Sequence, residues 1–143
     1  MKKIFLILIF LIFPLTSFSV EVIYVYDNVQ LWKGLIAENA NEGYNGLLVP
    51  ALVYRNRLEQ GMKLGCNGLK RSNLDEFVEK EGKQMEILSK RVLQQVFEEY
   101  CKDITNGATH YENVEDFGHP YWEKEMIVLD KIGSHTLYKR RER

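Results

Sequence analysis

Two carboxylates four residues apart, Glu38 and Glu42, are the first groups in this 143-residue chain whose spacing suggests chemistry. At about 100° per residue on a helix, both fall within about 20° of Leu31 and close to Leu35, so they prolong an apolar stripe rather than oppose it. A carboxyl at the edge of a buried face loses hydration, and a like charge one turn away repels it. Both effects raise a carboxyl pKa. A carboxylic acid that keeps its proton near neutrality is what glycosidic bond cleavage requires of a general acid. The same spacing also suits a solvated helix edge, and periodicity alone does not separate the two. Three histidines, His110, His119 and His135, stand among acids such as Asp103 and Asp116, the residue types of a metal-dependent hydrolase. Their spacing fits no compact zinc motif and H-E-x-x-H is absent, so neither a metal nor a cofactor is expected.

The elements that must hold these groups are legible from periodicity. Leu31, Trp32, Leu35, Ile36 and Ala40 recur at helical spacing, which predicts a helix over 28–42 with Asp27 as N-cap and Gly43 as its stop. A second helix is expected from Leu47 to Gln60, with Pro50 early in it and Gly61 ending it. Ser72 followed by Asp75 resembles a capping box for a short helix carrying Leu74, Phe77 and Val78. Met85, Leu88, Val92, Val96 and Tyr100 mark a third long helix after the breaker Gly82. Turn formers and aromatics follow, and then alternation through Met126 to Leu129 and Thr136 to Tyr138 predicts a short antiparallel pair. The expected class is α+β: one mainly helical domain over 20–143 with a small antiparallel element near its C-terminus.

Lys2 and Lys3 before the apolar run Ile4 to Leu15, with Ser17 and Ser19 at cleavage-site positions, read as a signal peptide over 1–19. The run is too short to span a bilayer and carries Pro14, so no stable membrane anchor is expected after cleavage. The expected destination is the periplasm, the cell envelope or the extracellular space. Losing Lys2 and Lys3 takes the formal charge of the whole chain, -1, to -3. That balance argues against a nucleic-acid partner, which needs a broad basic face. In an oxidising compartment the two cysteines, Cys66 and Cys101, favour a disulfide, with two buried thiols as the alternative.

The run A-E-N-A-N-E-G at Ala37 to Gly43, followed by G-L-L-V-P-A-L-V-Y-R-N-R at Gly46 to Arg57, is similar to the E-A-x-x-E and N-R motifs of SleB-like cell-wall hydrolases. Asp103-x-Thr105-Asn106-Gly107-Ala108-Thr109-His110-Tyr111, then Trp122, then Ile132-Gly133-Ser134-His135-Thr136-Leu137-Tyr138 resemble that family's later blocks in the same order. The resemblance implies a lysozyme-like fold, with Glu38 as the catalytic acid. It also implies action on peptidoglycan glycan strands, typically as a lytic transglycosylase and here as a monomer. A hydrolytic muramidase would need a second carboxylate, for which Glu42 and Asp103 are candidates. Tyr111, Tyr121 and Trp122 offer faces for sugar rings, or fill the core. Asn56 and Arg57 are candidates to bond substrate or Glu38, or to occupy a helix surface. Asp103, Thr109 and His110 are expected to line the cleft, and His135 is expected to be a satisfied structural histidine. Two rivals stand beside this reading: an N-acetylmuramoyl-L-alanine amidase, and a non-catalytic peptidoglycan-binding module that does not require an acid at position 38.

Overall fold

The structure, a computed structural model, describes residues 30–142. The expected leader, the segment 20–26 and the Asp27 cap lie outside the described residues. The first helix, α1 (Leu31–Asn39), buries Leu31, Leu35 and Ile36 on one side. It ends before Glu42: Ala40–Glu42 form a 3-10 turn, and Gly43, at φ 64 and ψ -156, swings the chain into α2 (Gly43–Glu59). Gly43 therefore begins a helix instead of stopping one, because only glycine adopts that backbone freely. Glu38 and Glu42 consequently sit on different turns rather than on one continuous stripe.

The second helix is central. Residues 49–56 are all buried, and a helix covered on every side must lie inside the domain. Leu47, Ala51, Leu52 and Tyr54 face a cluster built with α1 and the later helices, while Val49 and Val53 face Ala108 and Leu137. Pro50 lies within α2. It has no N–H to give the Gly46 carbonyl, one turn back, so the helix carries one free acceptor.

The helices α3 (Leu74–Glu81) and α4 (Lys83–Leu93) are separated at Gly82, φ 88, as the sequence implies. The Ser72 capping box does not form; Asn73 holds the cap position, without a side-chain hydrogen bond. After Leu93 the helix widens into a π-turn over Gln94–Glu98. Arg55 reaches from α2 to this end, where its Nη1 donates to the carbonyls of Val96 at 3.0 Å and Cys101 at 2.8 Å. A buried cation thus satisfies acceptors that a helix end leaves open.

Three antiparallel strands follow: β1 (His110–Glu112), β2 (Met126–Ile132) and β3 (His135–Arg140), in the spatial order β1-β3-β2. The expected hairpin is present, closed by Gly133 at φ 60 and Ser134, with Ile132 opposite His135. The strand β1 is not foreseen from alternation because it has only three residues. It pairs His110 with Tyr138, Tyr111 with Leu137 and Glu112 with Thr136. The short helix α5 (Val114–Phe117) follows it, capped by the Asn113 side chain accepting from the Asp116 N–H. The molecule is α+β, a helical body with a small C-terminal sheet. Among the described residues no helix is long and apolar enough to cross a membrane.

The expected Cys66–Cys101 disulfide is not formed; both residues are free thiols. The Cys66 thiol is packed between Gly34 and Leu69 and reaches Tyr54, while Cys101 is tied by its backbone to Gln95 and Arg55. Burial, with the Glu38 charge adding, pushes the Cys66 thiol up to about 12, so it stays protonated and inert.

The closest backbone approach in this region joins α1 to the 3-10 turn Asn67–Lys70. A Cβ on Gly68 would lie 2.1 Å from the Gly34 carbonyl oxygen, and one on Gly34 would lie 2.6 Å from Cys66 Sγ. Gly34→Ala is therefore expected to overpack the contact and cost about 1–3 kcal/mol in chemical denaturation. A loss below about 0.5 kcal/mol, the range of neutral surface changes, would show that this contact is loose.

Candidate active site

Glu38 sits on the last turn of α1, beside a cleft of about 1320 Å³ between the helical body and the sheet. Three donors from three different segments converge on its carboxylate. The Gly68 N–H donates to Oε1 at 2.7 Å. Tyr111 Oη, from β1, donates to Oε2 at 2.5 Å, and Tyr54 Oη, from α2, donates to the same oxygen. The two phenol oxygens lie 3.0 Å apart. Burial raises the pKa of both phenols well above the ordinary tyrosine value, and the Glu38 charge adds to the effect. Both remain donors throughout the physiological range. Of roughly four acceptor positions on a carboxylate, three are filled, leaving one on Oε1 for a proton.

Glu42 lines the same cleft but is held by another set of groups. Its Oε2 accepts from Ser134 Oγ and lies 3.2 Å from His135 Nε2. His135 is buried, with its ring edge-on to Tyr111 at 5.0 Å and beside the Gly46 carbonyl that Pro50 leaves free. Burial lowers its pKa despite the nearby Glu42 carboxylate, so the ring is neutral at neutral pH. The buried ring thus lies between the Gly46 carbonyl and the Glu42 carboxylate.

Arg57, Thr109, His110, Tyr111 and Trp122 all line the cleft, as the sequence suggests. Arg57 Nε donates to the Lys63 carbonyl at 2.8 Å and Nη1 to the Thr109 carbonyl at 2.9 Å, with His110 Nε2 3.4 Å away. Desolvation, then the charges of Arg57 and Arg140, pull the His110 pKa down to about 4. Trp122 packs at 5.3 Å from the His110 ring and edge-on at 5.1 Å from Tyr138.

Three sequence candidates, Asn56, Asp103 and Tyr121, lie outside the cleft lining. Asn56 is buried, and its Nδ2 faces Asp103 Oδ2 at 3.1 Å, Thr105 Oγ1 at 3.1 Å and the Ala108 carbonyl at 3.0 Å. Asp103 accepts from the Thr105 N–H and hydroxyl on one oxygen and from the Gly107 N–H on the other. Together they fold the loop that delivers β1, and so position Tyr111 instead of touching a ligand. Tyr121 is 90% exposed and is likewise not part of the lining. Tyr54, Gly68, Phe77, Glu112 and Phe117 are site residues that sequence reasoning missed. A signal existed for Tyr54 alone, since a phenol in the middle of an apolar helix must find a partner for its hydroxyl.

Among the described residues no group of three or more His, Cys, Asp or Glu side chains is arranged to hold a metal ion. No family model matches the chain, nor does any curated protein or solved structure.

The donors around Asp103 hold its carboxyl below the usual aspartate range, against the opposing effect of burial. A depressed folded-state pKa gives stability that is complete above the unfolded value, near about 4, and lost as pH falls through the folded value. Asp103→Ala is expected to cost about 1–3 kcal/mol at neutral pH by leaving those donors unpaired. Its penalty should shrink below about pH 4 in denaturation curves. A penalty independent of pH would contradict the assigned role of the ionised carboxylate.

Proposed function

We infer that the protein cleaves the glycan strands of peptidoglycan as a lytic transglycosylase, with Glu38 as general acid and then base. The observation that carries this reading is a cleft carboxyl held by three fixed donors, with one acceptor position unfilled. The lysozyme-like architecture implied by the motif resemblance, export to the envelope and monomeric action belong to the same proposal.

In this mechanism protonated Glu38 gives its proton to the glycosidic oxygen as the bond from that oxygen to the muramic C1 breaks. The carboxylate left behind gains charge as Gly68, Tyr54 and Tyr111 already point their protons at it. Donors preorganised toward developing charge stabilise a transition state without moving. The muramic C6 hydroxyl then attacks C1 and returns its proton to Glu38, giving a 1,6-anhydro ring without consuming water. One carboxyl suffices for the full cycle.

A muramidase is the second reading, favoured by Glu42, whose carboxylate lines the same cleft between Ser134 and His135. There it would serve as the second carboxylate that hydrolysis needs. Asp103, occupied by its own loop, does not fit that role.

Glu38→Gln keeps size and one acceptor oxygen, which can still take the Gly68 N–H while the rotatable tyrosine hydroxyls turn to meet the amide NH2, but it has no transferable proton. Turnover of purified peptidoglycan should fall by about 10² to 10⁴, the usual contribution of general acid catalysis, with the thermal unfolding curve preserved. Mass spectrometry of the digest should show anhydro ends, and Glu42→Gln should leave most activity. Reducing ends with a Glu42→Gln loss as deep as that of Glu38→Gln would establish the muramidase instead. A folded Glu38→Gln protein with nearly full activity would refute both.

A further inference from the structure

The charges along the cleft are not mixed. Strand register sets their order, because β1 runs His110, Tyr111, Glu112 opposite Tyr138, Leu137, Thr136. Tyr111, the donor to Glu38, is the midpoint. On the Glu112 side lie Glu42 and Asp116, all three lining the cleft. On the His110 side lies Arg57, and Arg140 follows Tyr138 by two residues, on the same face of β3.

Among the described residues Arg57 is the only cation that lines the cleft, and it is half-buried without a counter-ion there. Its Nε and Nη1 are held by neutral carbonyls, which fix the plane of the guanidinium. Among the described residues no hydrogen bond engages Nη2 and no carboxylate pairs with Arg57 or Arg140. The neighbouring imidazole of His110 is neutral, so it offers neither repulsion to an anion nor compensation to the guanidinium. A partly desolvated guanidinium, pre-aimed and uncompensated, is suited to binding a planar anion.

We propose that the Arg57 end of the cleft binds a carboxylate carried by the substrate, and that this contact fixes which way a strand lies across Glu38. Resting on the glycan-cleaving reading above, the inference gives the carboxylate two chemical sources. One is the free lactyl group of a muramic residue; the other is the peptide stem attached to that group. The acidic Glu42–Glu112–Asp116 end repels the same substituent, so the two orientations of a strand are inequivalent in energy.

Calorimetric titration of the Glu38→Gln protein, which binds without turnover, tests this with three soluble tetrasaccharides. The first is neutral chitotetraose, the second an amidase-stripped glycan with free lactyl carboxylates, and the third a stem-bearing muropeptide. At least one anionic ligand should bind about tenfold or more tightly than chitotetraose, as one charge-assisted hydrogen bond would give. The ligand that does so names the source of the carboxylate. Adding Arg57→Gln should bring that ratio near one, Arg57→Lys should keep part of it, and raised salt should shrink it. Since Arg57 also bonds two carbonyls, Arg140→Gln on the exposed strand end supplies a second variant, expected to lower the ratio without affecting folding. Equal binding of all three ligands, or a ratio indifferent to both arginines, overturns the carboxylate site while leaving a glycan cleft in place. No binding of any of the three overturns the glycan reading and this inference together.

Discussion

A carboxylate set against an apolar core is tolerated only where donors replace the water it has lost, and that requirement at Glu38 organises the molecule around it. Gly68 can present its N–H only because neither it nor Gly34 carries a side chain, so α1 and the following loop pass almost in backbone contact. Tyr54 can present its hydroxyl only because α2 is buried on every side and carries that position to the cleft floor. Tyr111 depends on a three-residue strand, and that strand depends on a loop tied down by Asn56 and Asp103. Each donor is thus the end point of a different part of the fold.

The two carboxylates of the cleft, Glu38 and Glu42, differ in what surrounds them. Glu38 faces three neutral donors from fixed positions, whereas Glu42 faces a serine hydroxyl and a buried, neutral imidazole. The 3-10 turn between α1 and α2 is what separates the pair. Had the first helix continued to Glu42, the carboxylates would have shared one stripe and repelled each other directly.

Much of this was readable in the sequence, for identifiable reasons. The stripe through Leu31, Leu35 and Ile36 and the break at Gly82 follow from periodicity and glycine chemistry, which are local. The antiparallel pair follows from alternation through Met126 to Leu129 and Thr136 to Tyr138, while its closure at Ile132 and His135 shows only in the strand register. Gly43 misled because its positive φ ends one element and opens the next within a single residue. The strand His110–Glu112 is too short to alternate, and it exists through its pairing with β3. The cysteine pairing was an inference from compartment and even count, neither of which fixes where a thiol points. In the candidate site, Glu38, Arg57, His110, Tyr111 and Trp122 were visible by residue type. Gly68 was not, since its contribution is a backbone N–H that carries no signature. Asn56 and Asp103 looked like ligand groups because buried polar networks and binding sites draw on the same residue types.

The donors to Glu38 are separated from it by 16, 30 and 73 positions along the chain. Closing loops of such different lengths costs chain entropy that local helix formation does not, and the longest closure also needs the sheet to be in register. The full set of donors is therefore complete only when the helices and the sheet are both in place. Local opening of the C-terminal sheet removes a donor from the acid without disturbing the helical body, so the site senses the integrity of the region least supported by the main core.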